Sequence, residues 1–302
     1  MPPSSPLLIT GVSGFLGEHL ARTLVARGER VAGSYLTSPV AIPGVELFPF
    51  EMTDGPAWDR LLRDMAPRGI VHCAAQTQIG WCEEHPKAAR EANFGAVEHL
   101  AAAVRKRAPA TPVVQISTDL VFDGEGAPYA EDAAPKPLSV YGSLKWAAEK
   151  PVLALPHGIV LRTALLYGPE STHKSGFLGW MRDTLQAGHA LTLFEDEWRT
   201  PVFVQDVVAA VKLLLGLPAD HTAGRVFQAA GPDRLSRVEM GQAVCREFGF
   251  DPAAIRVARR LDVAGGNLRP RDASMTVGRL AAEGWSSPTT FADGLRKCRT
   301  AS

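Results

Sequence analysis

The chain has 302 residues, enough for a full parallel sheet and a smaller second lobe in one compact body. Its 32 Lys and Arg balance 32 Asp and Glu without basic runs, which speaks against nucleic-acid polymers and membrane surfaces and for a small-molecule partner. The four cysteines (Cys73, Cys82, Cys245, Cys298) lack C-x-x-C or Cys/His spacing, so no metal site is expected. The start MPPSSPLLIT is unlike a secretory leader, and no apolar run approaches the ~20 residues that span a bilayer, so a cytoplasmic location is expected.

In chain order, short apolar runs bounded by Gly, Pro or polar residues predict strands at 7–10, 30–35, 45–49, 69–72, 112–117 and 158–162. Between them, helices are predicted at 15–27, 56–65, 83–107 and 138–153. The 83–107 segment places Ala92, Ala96, Val97, Leu100 and Val104 at helical spacing, as for a helix lying on a sheet. Such alternation is that of repeated βαβ units and gives an α/β, doubly wound parallel sheet. After Gly168-Pro169 the alternation loosens. A polar stretch at 170–175 and a helix-like segment precede a strand at 191–194, a helix near 204–215 and a strand at 225–228. Further helices are predicted at 236–248, where Ser236 and Glu239 have capping-box spacing, and at 276–283 and 288–298.

Gly11-Val12-Ser13-Gly14-Phe15-Leu16-Gly17 follows the first strand and opens the first helix. Glycines there allow positive φ and a close backbone approach, and the free N–H groups at the helix start suit a dinucleotide pyrophosphate. The domain expectation is a dinucleotide-binding domain at 1–168. A smaller C-terminal α/β substrate-binding lobe follows at 169–302, with segments near 200–215 returning to the first domain.

Tyr141 and Lys145 stand four apart, on one face of the helix at 138–153. A neighbouring ammonium is expected to lower the phenol pKa toward working pH, making Tyr141 a general acid/base. Ser117-Thr118-Asp119 ends the fifth strand some two dozen residues earlier. A hydroxyl and a phenol that converge on one carbonyl oxygen stabilise the charge growing there.

With the G-x-x-G-x-x-G turn, these residues resemble the extended short-chain dehydrogenase/reductase superfamily, with its Rossmann sheet. The resemblance implies Thr118, Tyr141 and Lys145 as catalytic residues, with Tyr141 and Lys145 also meeting the nicotinamide ribose. It implies cofactor contacts from the glycine turn (Gly11, Ser13, Gly14, Phe15, Leu16, Gly17), from Ser34 and Tyr35 after the second strand and from Glu51 and Met52 after the third. Cys73, Ala74 and Ala75 after the fourth strand and Asn93 in the long helix complete that set. No carboxylate stands near Ser34 to repel a 2′-phosphate, so NADP(H) is favoured over NAD(H).

The run STDLVFDGEGAPYAEDAAPKPLSVYGSLKWAAEK is similar to the dTDP-4-dehydrorhamnose reductase branch, as are LRTALLYG, RTPVFVQDVV and LRPRDASM. The resemblance implies reduction of a keto sugar nucleotide, with Thr77, Asp119, Arg199 and Arg269 on the substrate side and a homodimer as assembly. The related dehydratases carry Thr-Asp-Glu where this chain has Thr118-Asp119-Leu120, and leucine moves no proton. Gly176-Phe177 and Asp196-Glu197-Trp198-Arg199 depart from the branch in segments that shape the sugar pocket. Arg199 has the planar fork that suits a diphosphate, with a surface salt bridge as the alternative. Two other activities remain open: an NAD-dependent sugar-nucleotide epimerase, and a non-catalytic regulatory subunit resembling the β subunit of methionine adenosyltransferase.

Overall fold

The computed structural model describes residues 5–286 and 289–301. Runs of Val, Ile and Leu form the strands β1 (Leu7–Thr10), β2 (Val31–Tyr35), β3 (Val45–Pro49), β4 (Gly69–His72), β5 (Val113–Thr118) and β6 (Gly158–Thr163). Beyond them come β7 (Leu166–Tyr167), β8 (Leu191–Phe194), β9 (Trp198–Arg199), β10 (Val202–Phe203), β11 (Arg225–Ala229), β12 (Leu235–Ser236) and β13 (Ile255–Ala258). Seven of them make an all-parallel sheet in the order β11-β6-β5-β4-β1-β2-β3. Strands β1, β4 and β6 are buried along their whole length, which fits a sheet covered on both faces. The strand order reverses between β1 and β4, and the crevice at their C-terminal ends is where such sheets bind ligands.

The helices are α1 (Phe15–Val25), α2 (Gly55–Met65), α3 (Ile79–Glu84), α4 (Pro86–Arg90), α5 (Ala96–Arg107) and α6 (Val140–Leu153), then α7 (Gly176–Gln186), α8 (Val204–Gly216), α9 (Ala219–Thr222), α10 (Arg237–Phe248), α11 (Gly278–Ala282) and α12 (Phe291–Ala301). One core cluster joins Leu16, Leu20 and Leu24 of α1 with Val204, Val207 and Val211 of α8. The opposite face carries Trp58 and Leu62 of α2, Leu100 and Val104 of α5 and Val152 of α6. A third cluster unites Leu178 and Met181 of α7, Leu191 and Leu193 of β8, Met240 and Val244 of α10, and Phe291 and Leu295 of α12. Both α8 and β11 come from the second half of the chain and belong to the main sheet's core.

The single helix expected at 83–107 is instead α3, α4 and α5, with a wide π-type turn at Glu91–Gly95 before α5. The chain breaks at His85 (φ −128°, ψ 56°), because Pro86 excludes its predecessor from helical geometry. Ser236 and Glu239 do form a capping box on α10. Pro288, where the last predicted helix began, lies outside the described residues, as do residues 1–4 of the start segment. Among the described residues no helix is long and apolar enough to cross a membrane.

Candidate functional site

The turn after β1 is shaped by what its glycines exclude. Gly11 sits at φ +66°, and a Cβ there would lie 2.7 Å from the Ala74 backbone. A Cβ on Gly17 would lie 2.3 Å from the Gly11 carbonyl. These contacts pull α1 onto the turn and the end of β4 against it. Gly14 precedes α1 without a side-chain cap, so the first-turn N–H groups have no side-chain acceptor at the cap, and Val12 N donates to Ser34 O at 2.9 Å. Ser13 and Phe15 are half-buried and Leu16 is buried. This tight cradle of amides fits a dinucleotide pyrophosphate.

Around the cradle, Ser34 is buried and Tyr35 half-buried, with Leu36 59% exposed beyond them. Cys73, Ala74 and Ala75 line the end of β4, half-buried. Glu51 is exposed, and its carboxylate accepts from Thr53 N and Oγ1. Met52 packs with the α2/α5 core, its carbonyl accepting from Trp58 Nε1. Asn93 is buried inside the π-type turn, where its Oδ1 accepts from Gln76 N (2.9 Å) and its Nδ2 donates to Gln76 O (3.0 Å). It thereby holds the segment that follows Ala75.

Helix α6 is started by Ser139, whose Oγ accepts from Gly142 N, and by Glu83, whose carboxylate accepts from Val140 N. Gly142 has no side chain for a reason the sequence did not disclose: a Cβ would lie 2.3 Å from Leu120 O. The helix thus rests on the turn after β5, and Tyr141 meets Thr118. The Thr118 hydroxyl faces the Tyr141 phenol, donates to Asp119 Oδ1 at 3.2 Å and accepts from Leu120 N. All three of Thr118, Tyr141 and Lys145 are buried.

Lys145 Nζ donates to the Ile116 carbonyl at 2.7 Å. Burial lowers its pKa to about 8, against the opposing pull of Glu149. The Tyr141 pKa is raised, first by burial and then by the charges of Asp119 and Cys82, with Thr118 opposing. The expectation that Lys145 lowers it is therefore corrected. Desolvation disfavours the phenolate, and the ammonium is engaged with a carbonyl.

One turn beyond Lys145, Glu149 accepts from Ser117 Oγ (2.7 Å) and from Arg162 Nε and Nη2 (2.9 and 2.7 Å). Sequence reasoning missed this buried pair, although Glu149 extends the four-residue step of Tyr141 and Lys145.

On the substrate side, Thr77 is exposed and Asp119 buried. Burial raises the Asp119 pKa, while Arg199 and Arg237 pull it down. Arg199 is 1% exposed and committed to Asp119, Glu197 and the carbonyls of Trp198 and Pro270. The diphosphate role and its surface salt-bridge alternative are both corrected to a buried ion pair, because no face of the guanidinium is open to a ligand or to water. Arg269 is half-buried, and its charge acts on both Glu197 and Arg199. Trp81 stacks on His85 (4.7 Å), and Trp198 lies beneath Arg234 (4.8 Å).

Comparison with known proteins gives one family and several full-length relatives. The RmlD substrate binding domain matches residues 5–302. A dTDP-4-keto-6-deoxy-D-glucose reductase of Streptomyces niveus is 32% identical over 294 residues, covering 94% of this chain and 95% of the relative. Methionine adenosyltransferase 2 subunit beta of Mus musculus is 31% identical over 301 residues, covering 98% and 87%. Among solved structures, a dTDP-4-dehydrorhamnose reductase of Clostridium acetobutylicum superposes with a TM-score of 0.82 at 25% identity, covering 98% and 99%.

Proposed function

Because this chain belongs to the RmlD substrate-binding domain family, a branch of the extended short-chain dehydrogenases/reductases, we propose that it reduces a nucleotide-linked keto sugar. It is an NAD(P)-dependent oxidoreductase, similar to sugar-nucleotide reductases over nearly its whole length. The observation that carries the reading is the meeting of Thr118 and Tyr141, with Lys145 one turn behind on α6.

A reduced nicotinamide dinucleotide, when bound, supplies the hydride. The turn from Gly11 to Gly17 would hold its pyrophosphate, Ser34 and Tyr35 its adenosine ribose, and Tyr141 and Lys145 its nicotinamide ribose. With no carboxylate beside Ser34, NADP(H) is the preferred form. Thr118 and Tyr141 bind the substrate carbonyl oxygen, and Tyr141 gives it a proton as negative charge develops. The Lys145 ammonium, anchored on the Ile116 carbonyl, would hold the nicotinamide ribose beside the phenol that gives the proton. Leu120 stands where elimination of water would need a proton-transfer group, so the chemistry stops at reduction. On this reading residues 1–168, together with α8 and β11, carry the cofactor, and the remainder of 169–302 carries the sugar nucleotide.

Purified protein given NADPH and a panel of nucleotide-linked 4-keto-6-deoxy sugars should oxidise NADPH in step with hydroxyl product. Silence across the panel, with NADPH demonstrably bound, overturns the reading. Tightly held NAD⁺ that is released only on denaturation, without net NADPH loss, would indicate the epimerase. The similarity to methionine adenosyltransferase 2 subunit beta supports a second, regulatory reading. Tyr141→Phe separates the two: it should lower reductase kcat by about 10²–10⁴-fold but leave a regulatory subunit's partner binding intact.

A further inference from the structure

Water would stabilise the charge on Arg199, yet the structure buries that side chain almost completely. Its Nε lies 3.4 Å from Asp119 Oδ2 and its Nη2 3.1 Å from Glu197 Oε1. Its Nη1 donates to Trp198 O at 2.7 Å and to Pro270 O at 3.1 Å. Glu197, fully buried, is also held by Arg237 through Nε (2.8 Å) and Nη2 (2.7 Å). Arg237 opens α10 and covers the Phe177 ring at 4.8 Å. An unbroken line of charges therefore runs from the Thr118 hydroxyl through Asp119, Arg199 and Glu197 to Arg237. It begins at the end of β5 and finishes on a helix of the third core cluster.

Stability alone does not account for this line, since buried ion pairs are often matched or bettered by apolar side chains of similar volume. What charges add is a fixed geometry. Asp119 is next to Thr118, and its Oδ1 is 3.2 Å from the hydroxyl on which the proposed chemistry depends. Its other oxygen, Oδ2, accepts no hydrogen bond among the described residues, and the Arg199 guanidinium stands 3.4 Å from it, the largest charge that opposes burial there. The orientation of the carboxyl group is thus set from β9, which lies outside the main sheet and pairs with β12 just ahead of α10.

We infer that Arg199 is a positioning residue: from β9 it fixes the Asp119 carboxylate, which fixes the Thr118 hydroxyl against Tyr141. The packing of the substrate side thereby sets the geometry of the proton-donating site. This inference rests on the reductase reading, but its link from Arg199 to Asp119 can be tested without substrate.

The test is a double-mutant cycle on Arg199→Gln and Thr118→Val, assayed with NADPH and whichever keto sugar nucleotide the wild type reduces. Arg199→Gln should lower kcat by about tenfold or more, as a displaced catalytic group does, with KM for NADPH unchanged. In the Thr118→Val background it should lower kcat hardly further, because its route of action is gone. Arg199→Lys should recover part of the loss. Independent multiplicative losses in the double variant, or an unchanged kcat in Arg199→Gln, overturn the inference. If Arg199→Gln does not fold, Asp119→Asn takes its place in the cycle with the same expectation.

Infrared spectra supply the arm without substrate. Burial raises the Asp119 pKa and Arg199 is the largest charge opposing it, ahead of Arg237, so Arg199→Gln should show a carboxylic acid band stronger than the wild type's, and Arg199→Gln/Asp119→Asn should lack that increase. A band no stronger than the wild type's breaks the link and overturns the inference. A wild type that turns over no sugar nucleotide sinks the reductase reading, and the infrared arm still decides whether Arg199 holds Asp119.

Discussion

Burial and the nearby Asp119 carboxyl keep the Tyr141 phenol protonated well above neutral pH, which suits a group that must give a proton to a forming alkoxide. The reverse reaction, alcohol oxidation, needs the phenolate and is correspondingly handicapped. Lys145 has the opposite problem. Its folded pKa of about 8 is below the ordinary lysine value of about 10.4, so its ammonium is present below pH 8 and fades above it. Reduction should therefore slow as pH rises through about 8, and this limb should be missing from the residual activity of Lys145→Met. A wild-type kcat that stays flat to pH 10 would remove Lys145 from the mechanism. Stability moves the other way. Between about 8 and about 10.4 the unfolded chain binds more protons at this site than the folded one, so this lysine's contribution to stability rises with pH across that window. In the cofactor turn, Gly17→Ala places a Cβ where the Gly11 carbonyl stands. NADPH affinity measured by fluorescence titration should fall by about tenfold or more, because the amides lose their common focus.

Helix α6 serves the site through three side chains on one face, of which Glu149 is the anchor. Both of its carboxylate oxygens take the Arg162 fork of β6, while Ser117 at the end of β5 gives it a further hydrogen bond. Glu149→Gln leaves Arg162 buried with an uncompensated charge and should cost about 3–5 kcal/mol. A denaturant titration would read this as a lower midpoint at constant slope. A shift under 1 kcal/mol would mean that the helix is held by its apolar face alone. Elements of this length were legible in the sequence. The strands β1, β3 and β4 stand at the predicted bounds, since apolar runs between Gly and Pro have few alternatives. Strands of two residues, such as β7 and β9, carry no periodicity, and the break that Pro86 imposes on the residue before it is hidden within a run of otherwise helical spacing. The Tyr141/Lys145 spacing was visible because one helix carries both. The partnerships of Glu149 with Arg162 and of Asp119 with Arg199 were not, because each joins residues that only the tertiary fold brings together.

At the scale of the whole molecule, the first 168 residues hold the core on the α2/α5/α6 face of the sheet but do not complete the core on the α1 face. Helix α8 lays Val204, Val207, Val208, Val211 and Leu214 against the face that carries Leu16, Leu20 and Leu24. Strand β11 pairs with β6 along its whole length and adds Phe227 and Ala229 to the same cluster. At about 1.5–3 kcal/mol for each large side chain fully buried, the α8 contribution alone is roughly 8–15 kcal/mol. Even after the entropy of ordering the helix is subtracted, losing that gross gain is large against the net stability of about 5–15 kcal/mol that a domain of this size ordinarily has. A fragment of residues 1–168 should therefore keep helical far-UV circular dichroism but lose its near-UV signal, unfold without a cooperative transition and fail to bind NADPH. A sharp two-state transition in that fragment, with NADPH bound at the affinity of the full chain, would mean that the cofactor half is autonomous and that α8 and β11 merely cover it.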